Sequence, residues 1–290
     1  MHPPDRRIIL GLYRTRHNRG ILEAALEQGI QDLDTAFNYA DFSSLDRLAA
    51  IAPDLISEFR LSTKVGFFPS ATGRAEHSLN PIQLRQAIEV TADTLGRTPD
   101  VIFLHNPERS VTEAGREIGY GLLTDAAETL ERAVHSGLCA AWGISTWEPR
   151  PLVEAIRHRA ELSALPTHLM HRSGVLVSSA VMEATDSLAE LLRVGVDGRW
   201  GMSPFGGDTR LPFWDTLSVG SLLSMQGPYN PVEAAFRLAY ELPNVERVSV
   251  SLNDPMHLAQ LVEATRLSVD PVMLERYRKL LRSRQRANAS

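Results

Sequence analysis

The side chains of this sequence that could carry out chemistry lie at the ends of short apolar segments. Asp34 ends the second such segment, Lys64 lies at the end of the third, and His105 ends the fourth. Tyr39 follows Asp34 by five positions. A carboxylate, an ammonium, an imidazole and a phenol held together can transfer protons and stabilise developing charge. Each residue alone also has a structural interpretation, as a turn carboxylate, solvated ammonium, core imidazole or packed ring, but their joint occurrence favours a reactive site.

Lysine is rare in this chain, which draws attention to Lys64. Of the 30 basic residues, only Lys64 and Lys279 are lysines. A strong preference for arginine is typical of a coding bias. Arginine keeps its charge at every accessible pH, whereas an ammonium can change its pKa with its surroundings. A lysine retained at a segment end therefore indicates a position that needs a titratable amine.

Short apolar runs alternate with amphipathic stretches along most of the chain. Asn80-Pro81 is typical of a helix start and Gly96 of a helix end. The predicted strands cover residues 7–12, 33–34, 61–65, 101–104, 139–144, 167–170, 200–202 and 247–252. The predicted helices cover residues 20–28, 45–51, 80–96, 122–134, 151–159, 180–192, 231–240 and 256–264.

Eight strand–helix units predict an α/β fold of the (β/α)8 TIM-barrel type, a single domain over residues 1–290 with an extra C-terminal helix at 271–281. An open doubly wound sheet is the alternative, but it usually carries a glycine-rich turn after its first strand, and none follows Leu12. Consecutive barrel strands are neighbours whose carboxyl ends share one rim, so Asp34, Lys64 and His105 should converge there with Tyr39. The long aperiodic stretch 203–227 is expected to be a functional loop.

The composition excludes several classes of protein. Hydrophobic residues make up 43% and charged residues 22% of the chain, and the formal net charge is −5, so neither a disordered chain nor a nucleic-acid binder is expected. No apolar run approaches the length of a membrane span, and the first residues lack the apolar core of a signal peptide. With one cysteine, Cys139, a cytoplasmic location is expected. No metal site is expected, because His168 and His171 would lie on opposite faces of a strand.

At the reactive residues the sequence resembles the aldo-keto reductase superfamily, and the similarity extends over residues 7–265. The most specific matches are Asp34-Thr35-Ala36 with Tyr39, then Ser62-Thr63-Lys64-Val65, then His105. Weaker matches are Trp142-Gly143-Ile144-Ser145, Met202-Ser203-Pro204-Phe205-Gly206 and Pro231-Val232-Glu233-Ala234-Ala235.

The resemblance implies a reductase that uses NADP(H), with NAD(H) as the alternative, to convert the aldehyde or ketone group of a small molecule to an alcohol. Tyr39 would be the general acid that protonates the carbonyl oxygen. Lys64, paired with Asp34, would lower the pKa of that phenol by roughly 1–3 units. His105 would donate to the substrate oxygen and orient the carbonyl group.

The resemblance also implies a cofactor site, but this chain departs from the family pattern within it. The implied cofactor-binding residues are Ser145, Thr146, Met170, Met202, Ser203, Phe205, Ser251, Asn253 and His257. Thr146 replaces the usual asparagine, Met170 a glutamine and Met202 an aromatic ring, while Asn253 replaces an arginine that grips the adenosine 2′-phosphate. Arg247 or Arg266 could supply the missing guanidinium.

Aromatic residues in the predicted rim loops suggest a substrate with an apolar or ring-like body. Phe67, Trp147 and Trp214 are the candidate substrate-binding residues. Two other functions stay open. The chain could be a sensor that binds the cofactor with little turnover, or a carbon–carbon lyase in which Lys64 forms a Schiff base.

Overall fold

Eight parallel strands close into a barrel in a computed structural model that describes residues 8–159, 161–207, 209–224 and 229–288. The strands are β1 (Ile8–Gly11), β2 (Asp32–Asp34), β3 (Arg60–Val65), β4 (Val101–His105), β5 (Ala141–Thr146), β6 (His168–Arg172), β7 (Arg199–Met202) and β8 (Arg247–Ser251). Each strand pairs with the next along the chain, and β8 pairs with β1 to close the cylinder. The predicted (β/α)8 barrel is confirmed.

Helices surround the barrel and follow its strands in alternation. They cover Arg19–Glu27, Ser44–Ile51, Pro81–Leu95, Glu108–Ala114, Arg116–His135, Arg150–Arg159, Ser179–Leu191, Phe213–Thr216, Pro231–Leu238, Pro255–Ala264 and Pro271–Asn288. Short 3-10 helices cover Ile56–Glu58, Val196–Gly198 and Gly220–Leu222. Asparagine side chains cap three of the described helices: Asn18 accepts from the backbone of Gly20, Asn80 from that of Ile82 and Asn230 from that of Val232. None of the helices in the described part of the chain is both long and apolar enough to cross a membrane.

Some elements differ from the sequence prediction. Strand β5 ends at Thr146 rather than Ile144, because Ser145 and Thr146, although polar, are fully buried at its end. Cys139, which the apolar pattern placed in this strand, is buried just before it. An antiparallel hairpin, Phe67–Pro69 with Ala75–His77, was not predicted, since each of its strands is too short to show a period.

The lower half of the barrel interior is filled by side chains of the described strands. Val101, Phe103, Met170 and Trp200 pack together inside it. Gly143 leaves room for Phe103, since a Cβ there would lie 2.6 Å from two carbons of the ring. Below them Asp32 forms ion pairs with Arg60 and Arg247. This packed floor supports the polar groups at the opposite mouth of the barrel.

Candidate active site

A cavity of about 860 Å³ lies at the carboxyl ends of the strands and contains all four reactive residues inferred from the sequence. Asp34, Tyr39, Lys64 and His105 all line it. Each side chain reaches the cavity from a different strand end or loop, because the closed parallel topology brings β2, β3 and β4 side by side. The expected convergence at one rim is therefore what the structure shows.

Asp34 and Lys64 form an ion pair that is almost completely removed from solvent. The Lys64 Nζ lies 2.5 Å from Asp34 Oδ2, with side-chain exposures of 1% and 5%. The ammonium also donates to the carbonyl oxygen of Thr35 at 2.8 Å and lies 3.3 Å from the hydroxyl oxygen of Tyr39. Ser62 donates to the other carboxylate oxygen at 2.8 Å. Asp34 thus fixes both the charge and the position of the amine beside the phenol.

Tyr39 is positioned by a left-handed turn after β2. Backbone hydrogen bonds from Thr35 and Phe37 to residues of β3 hold the start of this loop. Ala40 and Asp41 then adopt positive φ angles of 51° and 52°. Such a conformation costs roughly 1–2 kcal/mol for each residue that is not glycine, and strained backbone of this kind clusters at functional sites. The strain is retained where it directs the phenol at Lys64.

The protonation states suit a proton donor at position 39. Burial lowers the pKa of Lys64, but the Asp34 carboxylate and the Tyr39 phenol outweigh it, so the net pKa is raised and the amine stays charged. Burial raises the pKa of Tyr39 above its ordinary value, while the Lys64 ammonium opposes that rise. The expected lowering of the phenol pKa is therefore wrong for this cavity, because desolvation outweighs the ammonium. Tyr39 keeps its proton at neutral pH.

His105 is a neutral imidazole, and a hydrogen bond from His77 holds its backbone. Its Nδ1 is buried without a partner among the described residues, so Nε2 is the nitrogen that can face the cavity. Burial lowers the pKa of His105 well below its usual value, and the charges of Lys64 and Arg109 act in the same direction. His77 Nε2 donates to the His105 backbone oxygen at 2.8 Å and its Nδ1 lies 2.7 Å from Ser110 Oγ. Neutral His105 can donate a proton in a hydrogen bond without carrying charge itself.

The residues implied in cofactor binding divide into those that line the cavity and those that do not. The lining members are Met170, Met202, Ser203, Phe205, Ser251 and Asn253. Ser145 and Thr146 are fully buried at the end of β5, and neither is among the residues that line the cavity. His257 is exposed on the helix Pro255–Ala264, also away from the cavity lining.

A nicotinamide dinucleotide is compatible with this cavity. The Ser145 hydroxyl is buried without a hydrogen-bond partner among the described residues, beside His105 and Met170 in the strand register. An orphaned buried hydroxyl of this kind fits a polar ligand group such as a carboxamide. Arg14 and Arg210 line the cavity from the loops after β1 and β7 and supply positive charge for phosphates. The donor set therefore fits a nicotinamide dinucleotide.

The two arginines that the sequence suggested as phosphate ligands lie elsewhere. Arg247 begins β8 and pairs with Asp32 on the floor of the barrel, and Arg266 pairs with Glu263. Asn253 accepts a hydrogen bond from the backbone nitrogen of Arg16 at 2.7 Å and so joins the loops after β8 and β1. Sequence reasoning missed the cavity arginines, because nothing in the sequence separates Arg14, three residues after β1, and Arg210, eight residues after β7, from the other arginines.

Of the three aromatic residues proposed for substrate binding, two line the cavity. Phe67 packs edge-on against His105, with ring centroids 4.9 Å apart. Trp147 lines the cavity with 45% of its surface exposed. Trp214 is buried and packs instead against Phe205 and Phe213. The structure therefore does not bring Trp214 to the cavity wall, because its ring fills the loop after β7.

A buried carboxylate that the sequence analysis overlooked fixes Trp147. Glu108 Oε1 accepts hydrogen bonds from the backbone nitrogens of Trp147 at 2.8 Å and Glu148 at 3.2 Å. Arg172 donates to the Trp147 carbonyl oxygen at 2.9 Å and lies over its indole ring. Hydrogen bonds thus hold the Trp147 backbone, and its exposed ring lies against Arg172 at the mouth of the cavity. No group of three or more histidine, cysteine or acidic residues within the described ranges could hold a metal ion.

Comparison with known proteins agrees with this geometry. The model of the aldo/keto reductase family matches residues 11–169, more than half of the chain. No curated protein sequence matches the chain.

Solved structures show the same fold at low sequence identity. The holo form of an aldo-keto reductase from Bacillus halodurans is 18% identical, with a TM-score of 0.71 over 95% of this chain and 91% of that one. A putative aldo-keto reductase from Pseudomonas aeruginosa is also 18% identical, with a TM-score of 0.62 over 90% and 91% of the two chains. An aldo/keto reductase from Brucella melitensis is 13% identical, with a TM-score of 0.66 over 94% and 93%.

Proposed function

Because the chain belongs to the aldo/keto reductase family, we propose that it reduces an aldehyde or ketone to an alcohol with NAD(P)H, and that Tyr39 is the general acid. The family makes it an oxidoreductase of the aldo-keto reductase type; the cofactor, the acid and the carbonyl substrate are our proposal. The observation that supports the proposal best is the buried chain of contacts from Asp34 through Lys64 to the Tyr39 hydroxyl at the barrel mouth.

A nicotinamide bound in the cavity would supply hydride for the carbonyl carbon, and residues of this chain would supply the proton. Tyr39 carries its proton at neutral pH and gives it to the carbonyl oxygen as negative charge develops there. The charged Lys64 stabilises the phenolate that Tyr39 becomes, and Asp34 keeps Lys64 charged and in place. Neutral His105 donates a hydrogen bond to the same oxygen and fixes the orientation of the substrate.

The sulfur of Met202, which lines the cavity, is our candidate for the nicotinamide end of the cofactor, and the Ser145 hydroxyl, behind the lining residues His105 and Met170, would need a small shift of that wall to reach it. Arg14 and Arg210 are candidates for its phosphates. We propose NADP(H) as the preferred cofactor and NAD(H) as the alternative. Asn253, which is neutral and already bonded to the loop after β1, offers no guanidinium for a 2′-phosphate. The ratio of the two dissociation constants, measured by quenching of tryptophan fluorescence, decides between them.

The same geometry weighs against a Schiff-base lyase. A nucleophilic lysine must lose its proton and be free to attack a carbonyl carbon. Lys64 is held by a carboxylate, a carbonyl oxygen and a phenol, and its pKa is raised. Its buried amine is a positioned cation rather than a nucleophile.

Substitution of Tyr39 by phenylalanine tests the proposed acid. Y39F should lower kcat for aldehyde reduction by at least about a hundredfold, since general acid catalysis is typically worth 10²–10⁴. Cofactor binding, followed by tryptophan fluorescence, should change little. Tyr120→Phe is the matched control, because that hydroxyl bonds Glu161 on the outside of the barrel. Near-normal turnover by Y39F would refute the assignment, and cofactor binding by the native protein without turnover of any carbonyl would indicate a sensor.

A further inference from the structure

Arg109 places a guanidinium at the side of the cavity formed by the loop after β4. It follows β4 in the chain, four residues after His105, and lines the cavity. Among the residues that the structure describes, no hydrogen bond or ion pair of its guanidinium is found, and its contact is with the face of Phe67, at 5.3 Å from the ring centroid. The same ring packs against His105 at 4.9 Å. One aromatic ring therefore separates the cation from the proposed site of the carbonyl oxygen.

The charge balance of the cavity leaves this cation uncompensated. The described lining residues include the cations Arg14, Lys64 and Arg109 but one carboxylate, Asp34, while Arg210 also lines the cavity and has an interaction of its own. That carboxylate is already engaged by Lys64 at 2.5 Å. An anionic ligand group would therefore enter a region of positive potential, and none of the described lining residues places a competing carboxylate beside Arg109.

The position of Arg109 separates it from the proposed phosphate ligands. Arg14 follows β1 and Arg210 follows β7, on either side of β8. In a closed barrel of eight strands, β4 lies diametrically opposite β8. Arg109 thus lies on the other side of the mouth, beside Phe67. It is close enough to His105 for its charge to lower the pKa of that imidazole.

We propose that Arg109 binds an acidic group on the substrate, so that the preferred substrates are aldehydes or ketones that also carry a carboxylate or a similar anion. The proposal rests on the reductase function proposed above and specifies its substrate class. Phe67 holds the planar guanidinium by a cation–π contact and keeps its donors available for a bidentate bond to the anion. The carbonyl group then lies a few bonds away, at His105 and Tyr39.

A pair of matched aldehydes tests this recognition. The substrates are 4-formylbenzoate and its neutral methyl ester, which share the same ring and the same reacting group. The native protein should have the higher kcat/KM for the anion, and R109Q should raise KM for 4-formylbenzoate about tenfold to hundredfold with little change for the ester. Arg85→Gln, on an outer helix where Arg85 pairs with Glu89, is the control and should leave both substrates unaffected.

A measurement without turnover separates this inference from the proposed activity. 4-Methylbenzoate has the acidic group but no carbonyl to reduce, and it should quench the fluorescence of the native protein, in which Trp147 lines the cavity, but not that of R109Q. Quenching that requires Arg109, without turnover of either aldehyde, would support the anion site and refute the reductase function. Two results would overturn the anion site and leave the reductase function standing. One is an equal kcat/KM of the native protein for the two aldehydes, and the other is an equal loss of kcat/KM for both aldehydes in R109Q.

Discussion

Breaking the buried ion pair at the barrel mouth gives the sharpest test of how the site is built. Asp34→Asn keeps the size of the side chain and an oxygen that can accept from Ser62, but it removes the charge that faces Lys64. The ammonium would then be buried with neutral partners, Thr35 and Tyr39. Loss of one member of a buried pair typically costs about 3–5 kcal/mol. We expect a loss of that size in the free energy of unfolding at pH 7.

The change of the free energy of unfolding with pH should have the opposite sign in D34N and in the native protein. In the native protein the pKa of Lys64 is raised, so its contribution to stability is complete below the unfolded pKa of about 10.4 and is lost only as the pH rises through the folded value. In D34N burial alone lowers the pKa of Lys64 in the folded state. The unfolded chain then binds the extra proton, so stability rises with pH by up to about 1.4 kcal/mol per pH unit between the lowered pKa and 10.4.

Urea unfolding at pH 7, 8 and 9, followed by tryptophan fluorescence and circular dichroism, measures both effects. A second substitution, Lys64→Met, should restore part of the stability lost in D34N, because it removes the unpaired charge. The double variant should remain inactive. A cost in D34N below about 1 kcal/mol at pH 7, no rise with pH, or full additivity of the two substitutions would refute the account of the pair.

Three further predictions concern the support of the site and the stability of the fold. Glu108→Ala should raise KM for aromatic aldehydes several-fold, because the backbone nitrogens of Trp147 and Glu148 lose their acceptor, and steady-state kinetics measures it. Gly143→Ala should lower the free energy of unfolding by about 1–3 kcal/mol or more, because its Cβ would overlap the Phe103 ring, and urea unfolding measures it. His171 is buried with a pKa of about 3, so stability should fall as the pH drops below 6.5, by up to about 1.4 kcal/mol per pH unit, and unfolding curves of His171→Gln should lack that component.

Each of these predictions has a matched control in the chain. Glu108→Gln keeps an oxygen that can accept and should change KM less than Glu108→Ala; equal effects would contradict the role assigned to the carboxylate. Gly121→Ala, in an open helical position, should be neutral or stabilising. His135→Gln removes an exposed histidine and is the control for the loss of a histidine as such, and an unchanged slope in His171→Gln would exclude that residue as its source.

Much of the fold and the centre of the site could be predicted from the sequence because both depend on repeating patterns. Alternation of apolar runs and amphipathic stretches predicts the barrel, and the barrel places successive strand ends on one rim. Asp34, Lys64 and His105 therefore had to meet once the topology was inferred, and the cavity contains all three. Tyr39 was predicted to lie with them because it follows Asp34 by five positions in the sequence. The end of β5 was predicted two residues early, because the buried polar residues Ser145 and Thr146 do not look like strand interior.

Other features could not be predicted because they depend on loop conformation and on burial. The direction of the Tyr39 pKa depends on how completely the phenol is desolvated, which no spacing of residues reveals. Arg14 and Arg109 are two among many arginines in the sequence, and only the conformation of their loops places them at the cavity. Arg247, by contrast, pairs with Asp32 at the other end of the barrel. Trp214 is likewise an aromatic residue in a predicted rim loop, but the folded loop buries its ring away from the cavity.

The sequence by itself determined which chemical groups this protein brings together, since strand order and strand polarity follow from periodic patterns that each segment carries locally. The tertiary structure alone decided which charges are paired, which rings face the cavity and which protons are held. Those properties arise from contacts between segments far apart in the chain and from the removal of water, and both exist only after the barrel has closed.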